Sequence, residues 1–244
     1  MSPLVGAIGL SIAGSLGGLA AAALLLVLPQ RTYSSLVPPL VSYAVGTLLG
    51  VALLALLPEA ISQAPAPRVF GTLLAGILLF FVLEKALLWR HCHSESCEVH
   101  GSSGPLVLIG GAVHNFIDGA MIGASLMTSF SLGVSAAVAV AAHEVPHELG
   151  DFAVLLHAGY SRRRALTLNV LSGVASVAGA IGAVLLVDVL PGLLPYLLAL
   201  AASSFLYVAL SDLVPDLHTH GPTGASAIRQ IVLIALGMAT AMLL

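Results

Sequence analysis

Long stretches without a charged side chain dominate this sequence. No Asp, Glu, Lys or Arg precedes Arg31, and none occurs between residues 32 and 58. One helical crossing of a bilayer needs about 20 consecutive apolar residues. Only 8% of the 244 residues are charged, whereas soluble domains carry about 25%. The sequence therefore excludes a soluble globular protein, a disordered chain and a nucleic-acid-binding protein, and it indicates an integral membrane protein in a lipid bilayer.

The apolar stretches predict helices and not strands, because they lack the alternation typical of membrane barrels. We expect an all-α integral membrane protein in which residues 1–244 form a single transmembrane domain. No basic residues precede the first stretch, so we expect no cleaved signal peptide. The eight predicted transmembrane helices lie at about 3–28, 36–60, 69–90, 105–128, 132–157, 165–187, 193–214 and 225–244.

The basic residues predict the orientation of the bundle. Only Arg68 follows an even-numbered helix. The others lie in, or at the helix ends next to, the loops after odd-numbered helices: Arg31, Lys85, Arg90, Arg162, Arg163, Arg164 and Arg229. Because cytoplasmic loops are enriched in Lys and Arg, we expect the odd loops in the cytoplasm. Both termini are then extracytoplasmic, and the expected location is the plasma (inner) membrane.

Ionisable side chains interrupt the fourth and fifth predicted helices near their midpoints. An ionised side chain at the bilayer centre costs about 2.5–3.5 kcal/mol when nothing compensates it. Neither helix contains Lys or Arg, so protons or cations must supply the positive charge. The eight polar residues are His114, Asn115, Asp118, His143, Glu144, His147, Glu148 and Asp151.

The spacing of these residues favours a metal site. His114 and Asp118 are four residues apart, as are His143 and His147, so each pair shares a helix face. Imidazole and carboxylate together suit Zn²⁺ or Fe²⁺, whereas Ca²⁺ and Mg²⁺ prefer oxygen ligands. Pro146 removes one backbone donor at the same level of the helix. We therefore predict a transition-metal site between the fourth and fifth helices.

Three other interpretations stay open at this stage. The polar groups could join helices by hydrogen bonds alone, or they could line a gated channel. Residues 143–147 also read H-E-x-x-H, the motif of a zinc protease with Glu144 as general base. A peptidase needs three protein ligands and one open position. Three ligand-type residues would then be surplus: Asn115, Glu148 and Asp151.

Several motifs together carry a family resemblance. HNFIDG at 114–119 and HEVPHELGD at 143–151 resemble the ZIP (Zrt/Irt-like) family of divalent metal transporters, in the branch with the signature HExPHExGD. LLPEA at 56–60, LEK at 83–85 and LYVALSDLVPDL at 206–217 are also similar. The resemblance implies an uptake carrier for Zn²⁺, and in some members for Fe²⁺, Mn²⁺ or Cd²⁺. It also implies a homodimer, and movement of helices 1, 4, 5 and 6 against helices 2, 3, 7 and 8.

The resemblance further implies a binuclear centre between helices 4 and 5. The first metal would be held by His114, Asp118, His143 and His147. The second would be held by Asn115, Asp118, Glu144 and His147. Some members add an acidic ligand on helix 6, but this helix has no acid before Asp188, which leaves Asn169 or Ser172 as a weaker substitute.

Two helix ends predict a path on either side of the centre. Pro58-Glu59 ends helix 2 and Pro215-Asp216 ends helix 7, as an inverted repeat of helices 1–3 and 6–8 would produce. Ordinary polarity at helix ends is the alternative. We expect Glu59 to collect cations outside. The residues expected to receive them inside are Asp212, Asp216, His218 and His220.

The loop at 91–104 contains further transition-metal ligands. Its two cysteines, the only ones in the chain, provide no disulfide framework. Their spacing matches no closed structural zinc site, so we expect a weak metal-capturing loop on the cytosolic side. A merely solvated loop is the alternative. The ligands are His91, Cys92, His93, Cys97 and His100.

Overall fold

The computed structural model describes residues 2–89, 103–219 and 224–243 of the chain. Within these ranges every regular element is helical. Eight helical stretches follow one another along the described chain: α1 (Pro3–Leu25), α2 (30–63), α3 (Ala66–Trp89), α4 (Ser103–Thr128), α5 (Phe130–His157), α6 (Arg162–Val189), α7 (194–219) and α8 (Gly224–Leu243).

The structure confirms an all-α protein with helices suited to a membrane. Seven stretches in the described ranges are long and apolar enough to cross a bilayer. Helix α5 has 28 residues but is not among these seven stretches. The number of eight crossings therefore stays a prediction. Helix α2 begins at Gln30, six residues before the predicted start, and contains Pro38 and Pro39 in its interior.

The helices pack in two groups. In the first, α4 packs chiefly against α6 and α5, and α1 lies along α5 and α6. In the second, α2 packs against α8, and α3 packs against α7. The two groups meet where α5 contacts α2 and where α4 contacts α7. The fourth and fifth helices, which carry the polar residues, thus lie at the boundary between the groups.

Small residues allow α4 and α6 to approach closely. A Cβ atom at Gly119 would overlap the carbonyl oxygen of Ser176, and one at Gly179 would overlap the carbonyl oxygen of Phe116. Helices in lipid associate through such small-residue contacts, because the surrounding lipid tails are as apolar as the helix surfaces. The same interface receives α1, whose Ser11 Oγ lies 2.5 Å from Ser176 Oγ. These contacts fix the position of α4 relative to its neighbours.

Helices α2 and α7 share an irregular feature at corresponding places. Each contains a π-helical turn, Val51–Leu56 in α2 and Val208–Leu213 in α7. Each turn is followed two residues later by a proline, Pro58 or Pro215. A proline cannot donate to the carbonyl group one turn earlier, and π turns often accompany such interruptions. The second helical group therefore contains two matched weak points.

Candidate metal centre

Four side chains from α4 and α5 form a compact cluster, which we call the four-ligand group. It consists of His114 and Asp118 on α4, and of His143 and Glu144 on α5. One ligand atom from each lies within 4.8 Å of the other three. Asp118, His143 and Glu144 are at most 1% exposed, whereas His114 is 17% exposed on its side chain. Three of the four ligands are therefore buried, and the group is accessible at His114.

The distances in the four-ligand group suit a small divalent cation. Asp118 Oδ2 lies 3.0 Å from His143 Nε2 and 3.5 Å from His114 Nε2. Glu144 Oε1 lies 3.4 Å from His114 Nε2 and 3.8 Å from His143 Nε2. Metal–ligand bonds of about 2.0–2.2 Å in a tetrahedron place ligand atoms about 3.3–3.6 Å apart. The atoms therefore need little movement to coordinate one ion.

Hydrogen bonding on His143 shows which nitrogen faces the group. Its Nδ1 donates to the carbonyl oxygen of Ala139 at 2.9 Å, because a carbonyl can only accept. Nε2 of the neutral ring then presents a lone pair to Asp118 Oδ2. Both oxygens of Asp118 and of Glu144 are buried without a hydrogen-bond donor in the part of the chain that the structure describes. Lone pairs that converge in a buried site are stabilised when a cation lies between them.

Helix α1 contributes to the shape of this group, although it supplies none of the four ligands. A Cβ atom at Gly18 would lie 2.7 Å from Cβ of Glu144 and 3.2 Å from the carbonyl oxygen of Ala141. The backbone of α1 therefore passes directly against α5 at the level of the cluster. A larger residue at position 18 would displace Glu144 or separate the two helices. The sequence offered only the frequency of glycine in α1 as a signal for this contact.

His147 and Asp151 lie next to the four-ligand group and not in it. The ring of His147 stacks on that of His114, with centroids 4.5 Å apart and an interplanar angle of 13°. Its Nδ1 lies 3.9 Å from Asp151 Oδ2. The family resemblance implies that His147 and Asp118 both bridge two metals. The structure places Asp118 in the four-ligand group and His147 beside it.

Asn115 on α4 and Glu148 on α5 contact each other and are both buried. The Asn115 side-chain amide donates to the carbonyl oxygen of Gly111 at 3.1 Å, and Glu148 lies beside that amide. Asn115 Oδ1 and Glu148 Oε2 are both buried, and neither has a hydrogen-bond partner within the described ranges. On α6, Asn169 Nδ2 and Ser172 Oγ are buried and equally unpaired there. Helices α4, α5 and α6 thus each carry buried polar atoms that have no hydrogen-bond partner among the described residues.

A cavity of about 320 Å³ leads away from His114 towards the N-terminal end of α4. The first helical group contributes His114, His147 and Asp151 to its wall, and the second contributes Glu84 and Asp212. The Tyr207 hydroxyl also lines the cavity and donates a hydrogen bond to Glu84. The sequence interpretation missed Tyr207, because one tyrosine in an apolar helix carries no distinguishing pattern.

The predicted inner path is only partly described. Asp212 lines the cavity, as expected, whereas Asp216 and His218 are exposed further along α7 and do not line it. His220 lies outside the described residues. The same holds for all the predicted ligands of the loop: His91, Cys92, His93, Cys97 and His100.

A second cavity lies at the other end of α4. It measures about 380 Å³, and its polar lining residues, which lie among apolar ones, are Glu59, Thr128, Ser129, Ser131 and Ser135. Glu59 accepts a hydrogen bond from Gln63 Nε2 at 2.7 Å. The four-ligand group therefore lies between two cavities along α4, and His114 is the member of the group that lines the first.

Comparisons with known proteins show which proteins this chain is similar to. The chain is 48% identical to zinc transporter ZIP4 of Homo sapiens over 110 residues, which are 45% of this chain and 17% of the relative. It is 42% identical to zinc transporter ZIP10 of Danio rerio over 116 residues, 48% of this chain and 14% of the relative. With ZIP10 of Homo sapiens the identity is 35% over 166 residues, 62% of this chain and 20% of the relative.

The matches therefore span a fifth or less of these relatives, which are much longer proteins. A family model described as ZIP zinc transporter matches residues 89–244, well over half of the chain. That region contains α4 and α5 with all members of the four-ligand group. The chain belongs to the ZIP zinc transporter family.

Proposed function

We propose that this protein carries divalent transition-metal ions, zinc foremost, across a membrane into the cytosol. The observation that carries the proposal is the four-ligand group, in which two imidazoles and two carboxylates converge within 4.8 Å. This donor set suits Zn²⁺ and related ions. The relatives named as zinc transporters support zinc as the cargo. Cd²⁺, Fe²⁺ and Mn²⁺ are further candidate substrates.

We propose a binuclear centre between α4 and α5. The four-ligand group would hold one ion. The carbonyl oxygen of the Asn115 amide and Glu148 supply buried, unpaired oxygen atoms at its border, as far as the described residues extend. Together with Asp118 and Glu144 these atoms would hold a second ion. Two ions would compensate the carboxylates that α5 carries into the bilayer.

Alternating access is the mechanism that this architecture favours. The four-ligand group lies at the boundary of the two helical groups, and the cavity wall is shared between them. A shift of α1, α4, α5 and α6 against the other helices would close this cavity and open the cavity at Glu59. The matched π turns and prolines of α2 and α7 support the predicted inverted repeat.

The direction of transport follows from the predicted orientation. The cavity of 320 Å³ opens towards the end of the bundle where α5 ends and α6 begins with Arg162, Arg163 and Arg164. This end is cytoplasmic if the excess of basic residues marks the inside. The structure then corresponds to the inward-open state, and Glu84, Asp151 and Asp212 lie on the release path. A homodimer in the plasma membrane remains part of the proposal.

The geometry disfavours a zinc protease. In an H-E-x-x-H protease both histidines bind the zinc ion, and the glutamate remains free to activate water. Here Glu144 is one of the four clustered ligands, whereas His147 lies outside the cluster. Family membership points the same way, because the relatives are transporters by name.

Reconstitution tests the proposed function. We expect vesicles that contain the purified protein to accumulate radioactive zinc with saturable kinetics, and excess unlabelled Cd²⁺ to compete. Empty vesicles and vesicles with the heat-denatured protein are the controls. Uptake that does not saturate would favour a channel. Zinc-dependent cleavage of a membrane peptide without zinc uptake would establish the protease and refute the transporter.

Glu59 provides a test of the outer path. We expect Glu59→Ala to raise the KM for zinc uptake about threefold to tenfold with little change in maximal rate, since a carboxylate at a cavity mouth concentrates cations. Initial uptake rates over a series of zinc concentrations measure both constants. Gln63→Ala is the matched control, because it removes the hydrogen bond to Glu59 but keeps the charge. Equal KM values in Glu59→Ala and in the unchanged protein would refute this role.

A further inference from the structure

Two donor groups, from α5 and α6, lie next to Gly111 of α4 about one turn from His114 towards the cavity, and a third lies beside them. A Cβ atom at Gly111 would lie 3.0 Å from Asp151 Oδ2 and 3.1 Å from Ser172 Oγ. The two oxygen atoms thus point into the space that the missing side chain leaves. Asp151 Oδ2 also lies 3.9 Å from Nδ1 of His147. Gly111 and Asp151 both line the cavity, so this space communicates with it.

Two of these donors are buried without a partner. Ser172 is 8% exposed, and its hydroxyl forms no hydrogen bond with any described residue. His147 Nδ1 is likewise buried and unpaired within the described ranges. A buried hydroxyl without a partner is destabilising relative to a paired one. The arrangement is explained if an ion or its bound water fills the space in front of Gly111.

The stacking of His147 separates these donors from the four-ligand group. Its ring lies parallel to that of His114 and supplies no atom to the four clustered ligands. The nitrogen that faces Asp151 is therefore available for a different ion position. One imidazole, one carboxylate and one hydroxyl are a weaker donor set for Zn²⁺ than two imidazoles and two carboxylates, because a neutral hydroxyl is a poor zinc ligand.

We propose that His147, Asp151 and Ser172 form a separate, weaker site for the transported divalent ion, which we call the Gly111 site. This proposal rests on the proposed function, and it identifies where the ion binds after it leaves the four-ligand group. An ion that leaves Asp118 and His143 would be held next at the Gly111 site, and water from the cavity would complete its coordination. Weaker binding at this second position favours release towards Glu84 and Asp212.

Binding of Co²⁺ to the full-length purified protein tests this site directly. The visible absorption of Co²⁺ reports nitrogen and oxygen coordination, and equilibrium titration resolves tight and weak phases. Gly111→Val fills the space, Ser172→Ala removes the hydroxyl, and Asp151→Asn weakens the carboxylate. Gly150→Val is the matched control, because no described atom lies within 4 Å of a Cβ atom there. All variants keep the loop at 91–104, so any Co²⁺ that this loop binds contributes equally to the variants and to the control.

We expect Gly111→Val and Asp151→Asn each to lower the Co²⁺ affinity of the weak phase about tenfold or more, and Ser172→Ala to lower it less. The tight phase should stay within about twofold of that of the control. Weak phases equal to the control in Gly111→Val and Asp151→Asn would overturn the Gly111 site. Loss of both phases together would also overturn it, because these residues would then only support the four-ligand group.

Vesicle uptake separates this proposal from the proposed function. Selective loss of the weak phase in these variants, in a protein that takes up no zinc, would support the Gly111 site and refute transport. Zinc uptake by the unchanged protein together with an unaltered weak phase in Gly111→Val would support transport and refute the Gly111 site. If both hold, we expect Gly111→Val to lower the maximal uptake rate about tenfold with little change in KM, since binding precedes the affected step.

Discussion

The Asp118→Ala protein is expected to take up no zinc above the level of empty vesicles while it keeps its fold. Asp118 is 1% exposed, and its Oδ2 lies 3.0 Å from His143 Nε2 and 3.5 Å from His114 Nε2. Its removal deletes one of the two negative charges that balance a dication in the four-ligand group. The loss should exceed the roughly 10–100-fold effect that follows from removal of an outer partner of a metal ligand.

Radioactive zinc uptake into vesicles and the elution profile of the purified protein measure activity and folding separately. Asp188→Ala is the matched control, because Asp188 is an exposed aspartate near the end of α6 and contacts none of the four ligands. Undiminished uptake by Asp118→Ala would remove this carboxylate from the transport path. Aggregation of the variant would instead show a structural role, and Asp118→Asn, which has the same shape, would then separate the two effects.

Gly119→Val should prevent the protein from folding. A Cβ atom at this position overlaps a backbone atom, the carbonyl oxygen of Ser176, and no change of side-chain rotamer relieves such a contact. Helix α4 would have to move away from α6 along their whole interface. We expect a loss of more than about 4 kcal/mol in the free energy of unfolding, which few proteins tolerate.

Thermal denaturation in detergent and the yield of monodisperse protein measure this effect. Gly182→Val on α6 is the matched control, because the described structure has no atom within 4 Å of a Cβ atom there. A Tm of Gly119→Val within a few degrees of the control would contradict the close approach of α4 and α6. The control also accounts for the intrinsic preference of valine in a helix.

The amino-acid sequence predicted the class of protein and the chemistry of the site. Apolar stretches of about 20 or more residues require helices in a bilayer, since every backbone polar group must be satisfied within its own segment. Imidazoles and carboxylates without Lys or Arg on the same helices require protons or cations, because isolated charges are costly in lipid. Both inferences follow from local composition, and the helical architecture and family membership confirm the class.

The sequence named all four members of the four-ligand group among eight candidates, but it did not determine which of the eight cluster. His114 and Asp118 are four residues apart on one helix, so their proximity follows from helical periodicity. Periodicity equally favours the pair of His143 and His147. The four-ligand group nevertheless contains Glu144, the sequence neighbour of His143, and not His147. Helical spacing states which side chains share a face. It does not state which face meets the other helix.

Only the tertiary structure decided the rotation and separation of the helices around the site. Gly119 and Gly179 bring α4 against α6, and Gly18 brings α1 against Glu144. These contacts join segments far apart in sequence, and each depends on the absence of a side chain. With the helices packed in this way, Glu144 lies in the four-ligand group and His147 stacks on His114 beside it. Composition along the chain thus determines that a cation is needed, whereas packing between distant glycines determines which atoms can bind it.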